Sequence, residues 1–214
     1  MSIKEVKTGG ITHIEPLDGS PCWYWGTDYT HGDLYEAEEL FKLSHPVMSN
    51  KLVFVRYPEG EVIQPVVGKE GQYFGRPIYC NGHITILLVD FPAEQIRILQ
   101  YDEGRKSIKV LQTILLTEVD DCYNLMLKTS PLMLTRHGHE DKFQIVWPEK
   151  VVFSVGERES FWFRDGDKLY FSTWHEDPEY REEVIVRRME TGEILMRTAG
   201  SPMVMPDGQM WVLT

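Results

Sequence analysis

The sequence predicts an all-β fold assembled from one repeated antiparallel unit, and three observations predict it. Apolar strands flank an Asn-Gly or Asp-Gly pair at three places, and such pairs favour type I′ hairpins because Asn, Asp and Gly tolerate positive φ. The glycines of those pairs, Gly82, Gly166 and Gly208, lie 84 and 42 residues apart. Helical periodicity is strong in only one segment, Leu34 to Leu43, so an α/β fold lacks its helices.

Taken in chain order, the elements fit a unit of two inner and two outer strands. Ile3 to Val6 and Ile11 to Ile14 form a surplus pair around Thr8-Gly9-Gly10. A first inner hairpin runs from Cys22-Trp23-Tyr24-Trp25 through Thr30-His31-Gly32 into Asp33 to Ala37, although the same residues begin the helical segment. The second inner hairpin turns at Asn81-Gly82, a degenerate one at Asp120-Asp121 between Ile114–Thr117 and Tyr123–Leu127, the next at Asp165-Gly166, and the last at Asp207-Gly208. Outer strands follow at Leu52–Tyr57, Ile96–Tyr101, Leu132–Thr135 and Val184–Met189, each leading to a glycine turn. Pro46, Pro92, Pro131 and Pro178 sit in the connections, where a missing N–H costs no ladder bond. Residues 140–160 hold one apolar strand too many for the pattern, and their assignment stays open.

A period of about 40–45 residues is that of a four-stranded propeller blade. In repeat geometry the chain resembles a small five-bladed β-propeller, since five units of 42 residues nearly fill 214. The resemblance implies a last blade shared between the N- and C-terminal strands. An irregular β-sandwich or barrel with coincidental glycines is the alternative. No linker or low-complexity tract breaks the sequence, so residues 1–214 read as a single domain.

Lys and Arg number 22 against 33 Asp and Glu, a net charge of −11. An anionic surface without a basic cluster disfavours nucleic acid and membrane partners. The start of the sequence carries charge and no apolar leader, so a cytoplasmic location is expected. Cys22, Cys80 and Cys122 lack CxxC spacing and read as small buried residues. Trp23, Trp25, Trp162, Trp174 and Trp211 read as packing between units.

Catalytic motifs are sparse. Arg136-His137-Gly138 after an apolar strand resembles the phosphate-binding motif of histidine phosphatases, where histidine is the nucleophile and arginine holds the phosphoryl oxygens. That family places its motif near the start of an α/β chain, and the turn reading suits this position better. His137, His139 and Glu140, and separately His175, Glu176 and Asp177, have metal-ligating chemistry, but the repeat puts the two groups at opposite ends of a blade. No metal and no cofactor is expected.

The leading expectation is a non-catalytic binding protein that presents one loop face to a small polar molecule or a protein partner. Candidate ligand-binding residues are His45, Tyr73, Arg76, Asp90, Arg158, Glu159, His175 and Glu176, which combine charge with aromatic surface. The rival is a glycoside-active hydrolase, because five-bladed propellers of similar outline include glycosidases with acidic residues near the axis. Asp90, Glu159 and Glu176 are its candidate carboxyls.

Overall fold

The computed structural model describes residues 3–205 and 209–214, and the Asp207-Gly208 turn lies outside them. The protein is all-β, with several antiparallel sheets and, among the described residues, one α-helix. Its chain divides into two compact units, residues 1–136 and 137–214.

The first unit opens with β1 (Glu15–Pro16) and β2 (Trp23–Thr27), followed by α1 (Leu34–Lys42). Beyond the helix come β3 (Asn50–Arg56), β4 (Glu61–Ile63) and β5 (Val67–Gly68). The first four strands pair in order, and β5 adds to β3. A second sheet contains β6 (Gln72–Phe74), β7 (Ile78–Cys80), β8 (His83–Asp90), β9 (Gln95–Asp102) and β10 (Ser107–Leu115). The hairpins expected at Asn81-Gly82, Glu59-Gly60 and Glu103-Gly104 all form. At the first, Asn81 and Gly82 have φ of 52° and 79°, the two positive values a type I′ turn requires. The unit ends with β11 (Met126–Thr129) and β12 (Leu132–His137), joined through Ser130-Pro131.

The core of this unit lies between its sheets. Trp23, Trp25, Leu52 and Phe54 from the first sheet meet Phe74, Ile84, Ile86, Leu88, Leu99 and Tyr101 from the second, with Leu17 buried among them. Alternation along each strand sends these side chains to one face. Packing is therefore the role of Trp23 and Trp25, as expected. Cys80 and Cys122 are buried and Cys22 partly so, all as free thiols.

The second unit has a hairpin of β13 (Lys142–Trp147) and β14 (Val151–Ser154), which absorbs the surplus apolar strand. A four-stranded meander follows: β15 (Glu159–Asp165), β16 (Lys168–His175), β17 (Arg181–Arg188) and β18 (Ile194–Ala199). Its turns fall at Gly166 and Thr191-Gly192, where the glycine spacing put them. Phe143, Phe153, Phe161 and Phe171 cluster with ring centroids 4.8–6.2 Å apart. The last pair, β19 (Ser201–Val204) and β20 (Met210–Leu213), forms its own two-stranded sheet with Trp211 half-exposed.

Three expectations are corrected. The first inner hairpin does not form, because Asp33 to Ala37 belong to a helix start: Asp33 Oδ1 accepts from the Tyr35 and Glu36 N–H groups at 2.9 and 3.1 Å, capping α1, and β2 pairs with β3. The degenerate hairpin fails for a competing pairing: Ile114 and Leu115 continue β10 against β9, and Leu116–Glu118 make a 3₁₀ turn. The shared last blade is also not formed. Among the described residues, 3–14 contain no strand, and β19 and β20 pair with each other alone. Ile11 instead buries itself over Gly26 of β2, the one position there without a side chain in its way.

Candidate functional site

The first strand of the second sheet is broken, and the break borders a cleft. Phe74 pairs with Leu88 and Ile78 with Thr85, so three residues, Gly75-Arg76-Pro77, oppose two. That extra residue is a bulge. Pro77 has no N–H for the ladder, and a side chain on Gly75 would collide with Leu34 and Leu87 at 2.8–2.9 Å. Between them Arg76 is turned out of the sheet, more than half of its side chain exposed.

Arg76 stands where three cavities in the first unit adjoin. One of about 410 Å³ lies between the turn at residues 30–36 and the segment 122–126. A second of about 290 Å³ is bounded by His13, Glu15, Trp25 and His31, and a third of about 310 Å³ by Glu15, Asp18, Met126 and Lys128. Arg76 Nη2 donates to both Glu15 oxygens at 2.7 and 2.9 Å.

The turn that walls this cleft is strained. Thr30, His31 and Gly32 have φ of 53°, 44° and 84°, three successive left-handed residues of which two carry side chains and one is β-branched. A Cβ on Gly32 would lie 2.8 Å from Arg76 Cγ and 3.0 Å from Trp25 Cη2. The Gly32 backbone thus packs against the aliphatic stem of Arg76. Strain of this kind persists where surrounding packing over-determines it, and it concentrates at ligand clamps.

The opposite wall is pinned from below. Arg136, with 1% of its side chain exposed, donates to the Asp121 carbonyl and carboxylate at 2.7–3.0 Å. Glu38 Oε2 accepts from the Cys122 N–H at 2.7 Å, and its other oxygen pairs with Lys42 at 2.7 Å, which raises the lysine pKa. Tyr35 meets Tyr123 edge-on at 5.5 Å. The Arg136 guanidinium of the Arg-His-Gly motif is therefore enclosed by the 121–122 turn, and His137 packs its ring edge on Phe143 at 6.4 Å.

Of the eight sequence candidates, Arg76 alone lines these cavities. His45 is exposed after α1, and its N–H donates to Leu40. Tyr73 is fully buried, its hydroxyl accepting from the Val47 N–H at 3.0 Å. Asp90 takes Gln72 Nε2 at 2.6 Å, the Ala93 N–H at 3.1 Å and Arg97 at 3.2 Å. These three organise the loop beside α1. In the second unit, the Arg158 guanidinium lies over the Trp174 ring at 4.6 Å, and His175 Nε2 is 3.8 Å from Glu183. Glu159 is buried against Arg187, and Glu176 is exposed. A glycoside-cleaving pair needs carboxyls that reach substrate, whereas Asp90 and Glu159 each hold an arginine.

Sequence reading missed Glu15, Asp18, His31 and Lys128 as site residues. One signal was available: Asp33-Leu34-Tyr35-Glu36 has the D-x-x-E form of a helix start, which would have placed Thr30–Gly32 outside a hairpin. Chemically, the cleft offers charged hydrogen-bonding groups. Cys122 borders it, but burial, with Glu38 beside it, pushes its thiol pKa up and disfavours the thiolate. Among the described residues no group of three or more His, Cys, Asp or Glu could hold a metal ion, and no helix is long and apolar enough to cross a membrane.

No family model and no curated protein matches this chain. Seven chains of solved structures do. One is the crystal structure of Porphyromonas gingivalis dipeptidyl peptidase 4, at 8% sequence identity and a TM-score of 0.44, covering 73% of this chain; the match spans 24% of the peptidase chain.

Proposed function

We propose that the chain is a non-catalytic binding protein of propeller type, and that its first unit receives a small polar molecule in the cleft around Arg76. The observation that carries this reading is the packing of the Arg76 side-chain stem against a strained turn, Thr30-His31-Gly32, where three cavities adjoin. The propeller assignment is supported by successive antiparallel meanders and by the equivalent placement of Gly82 and Gly166 at the β7–β8 and β15–β16 turns. Position in the break of a strand supports the cleft, since bulges commonly re-aim side chains at functional sites.

The test is an amide NMR titration of the full chain with a panel of sugars, hydroxy acids, amino acids and nucleosides. A binder shifts the resonances of residues 30–33 and 123–126 saturably, and Arg76→Ala, checked for an unchanged melting temperature, abolishes those shifts. A panel that leaves these residues unmoved, or that moves only residues elsewhere, overturns the proposal.

A further inference from the structure

The charge arrangement around Arg76 narrows the ligand class, an inference that rests on the cleft being a binding site. Glu15 uses a single nitrogen of Arg76, Nη2, and among the described residues neither Nε nor Nη1 has a partner. A guanidinium presents its donors as a planar fork suited to two oxygens at once, so the observed contact leaves most of the fork open. Arg76 and Glu15 both border the cavity that also holds half-buried Lys128. Burial lowers the pKa of Lys128, and Asp18 partly restores it. A second basic side chain thus borders the same cavity as Arg76.

The acidic groups limit how much negative charge can enter. Glu15 and Asp18 border this cavity and Glu36 the larger one, so a dianion meets repulsion that a single carboxylate with neighbouring hydroxyl or ammonium donors does not. We infer that Arg76 anchors the carboxylate of a small monoanionic hydroxy or amino acid, and that Glu15 is an internal carboxylate which this ligand partly displaces. Glu15 already shows the contact from one side, and the ligand repeats it on the open edge of the same fork. Its hydroxyl or ammonium group donates to the acidic wall.

The experiment is an NMR titration of the full chain with lactate, inorganic phosphate and glycerol at matched ionic strength, following the Arg76 side-chain resonance and the amides of residues 30–33. Lactate should bind more tightly than the other two. Arg76→Lys should weaken lactate binding by about tenfold or more, since an ammonium cannot offer two coplanar donors. Glu15→Gln should strengthen it, because the internal competitor loses its charge. Weaker binding in Glu15→Gln would make Glu15 a support for Arg76 and overturn its role as competitor. Tighter binding of phosphate or glycerol overturns the monocarboxylate class while leaving the cleft a binding site. Silence of all three probes overturns the inference alone if the wider panel succeeds, and both readings if that panel fails.

Discussion

Arg187 grips Glu159 across the second unit, Nη2 to Oε1 at 2.7 Å and Nε to Oε2 at 2.9 Å, with both side chains at least nine-tenths buried. Arg187 Nη1 donates to the Gly192 carbonyl at 2.6 Å, and its guanidinium lies 5.9 Å from the Phe153 and Phe171 ring centres. The pair joins the start of β15 to the end of β17. Removing one partner leaves the other buried without its counter-charge, a change that costs about 3–5 kcal/mol. Glu159→Gln should lower the denaturant midpoint accordingly, and the double change Glu159→Gln with Arg187→Met should recover much of the loss. A single-variant effect below about 1 kcal/mol would identify the pair as a surface-like contact of small value.

Gly32 is the position where turn conformation and cleft geometry meet. Its φ of +84° is left-handed, and an added Cβ would push on Arg76. Gly32→Ala is expected to cost about 1–2 kcal/mol from backbone strain, and to shift the Arg76 side-chain resonance away from its wild-type position. Gly32→Asn separates the two effects, because Asn tolerates the left-handed region but still carries a Cβ. Recovery of stability in Gly32→Asn without recovery of the resonance is the expected outcome. An unperturbed Arg76 resonance in both variants would show that the contact does not position the guanidinium.

Local turn chemistry made much of the fold readable in the sequence, and long-range competition hid the rest. Asn81-Gly82 and Gly166 enforce their turns through φ alone, so the hairpins around them appear where the residues put them. Ile114 and Leu115 could serve either neighbour, and the choice went to β9, whose eight residues offer a longer ladder than the four-residue β11. Ile11 looked like a strand residue but fills a space above a glycine in β2, which only the assembled sheet reveals. The candidate site divides in the same way. Arg76 was legible as a charged candidate, whereas Glu15 and Lys128 reach its site from positions 61 and 52 residues away along the chain.

A pH effect is expected at the Glu149–Arg164 pair, where Arg164 Nη1 and Nη2 contact the two carboxylate oxygens at 2.9 and 3.0 Å. The hydrogen bonds from Arg164 hold the Glu149 pKa below its ordinary value of 4.5. Folding therefore favours the ionised carboxylate, so the stabilisation is present above pH 4.5 and is lost as pH falls through the lower folded value. Glu149 is two-fifths exposed, so solvent screening keeps the contribution within about 1 kcal/mol. Urea midpoints of the wild type and Glu149→Gln should differ at pH 7 and converge toward pH 3. A constant difference across that range would show that the substitution acts through packing instead of charge.

The N-terminal segment offers a graded test of what its residues do. Residues 3–10 are mostly exposed, and Lys4 Nζ donates to the Pro58 and Glu59 carbonyl oxygens at the surface. Ile11, by contrast, is 6% exposed, and Glu15–Pro16 form the β1 pairing with β2. Deleting residues 1–10 should therefore leave the melting temperature nearly unchanged. Deleting residues 1–16 removes an isoleucine whose burial is worth about 1.5–3 kcal/mol, together with the β1 ladder. At roughly 2–4 °C per kcal/mol for a chain of this size, the second deletion should lower the midpoint by about 5–10 °C or more. It should also free Arg76 from Glu15, so lactate binding per folded molecule should rise if the cleft survives. Equal losses from the two deletions would mean that residues 1–10 stabilise the fold through contacts other than the cover Ile11 provides.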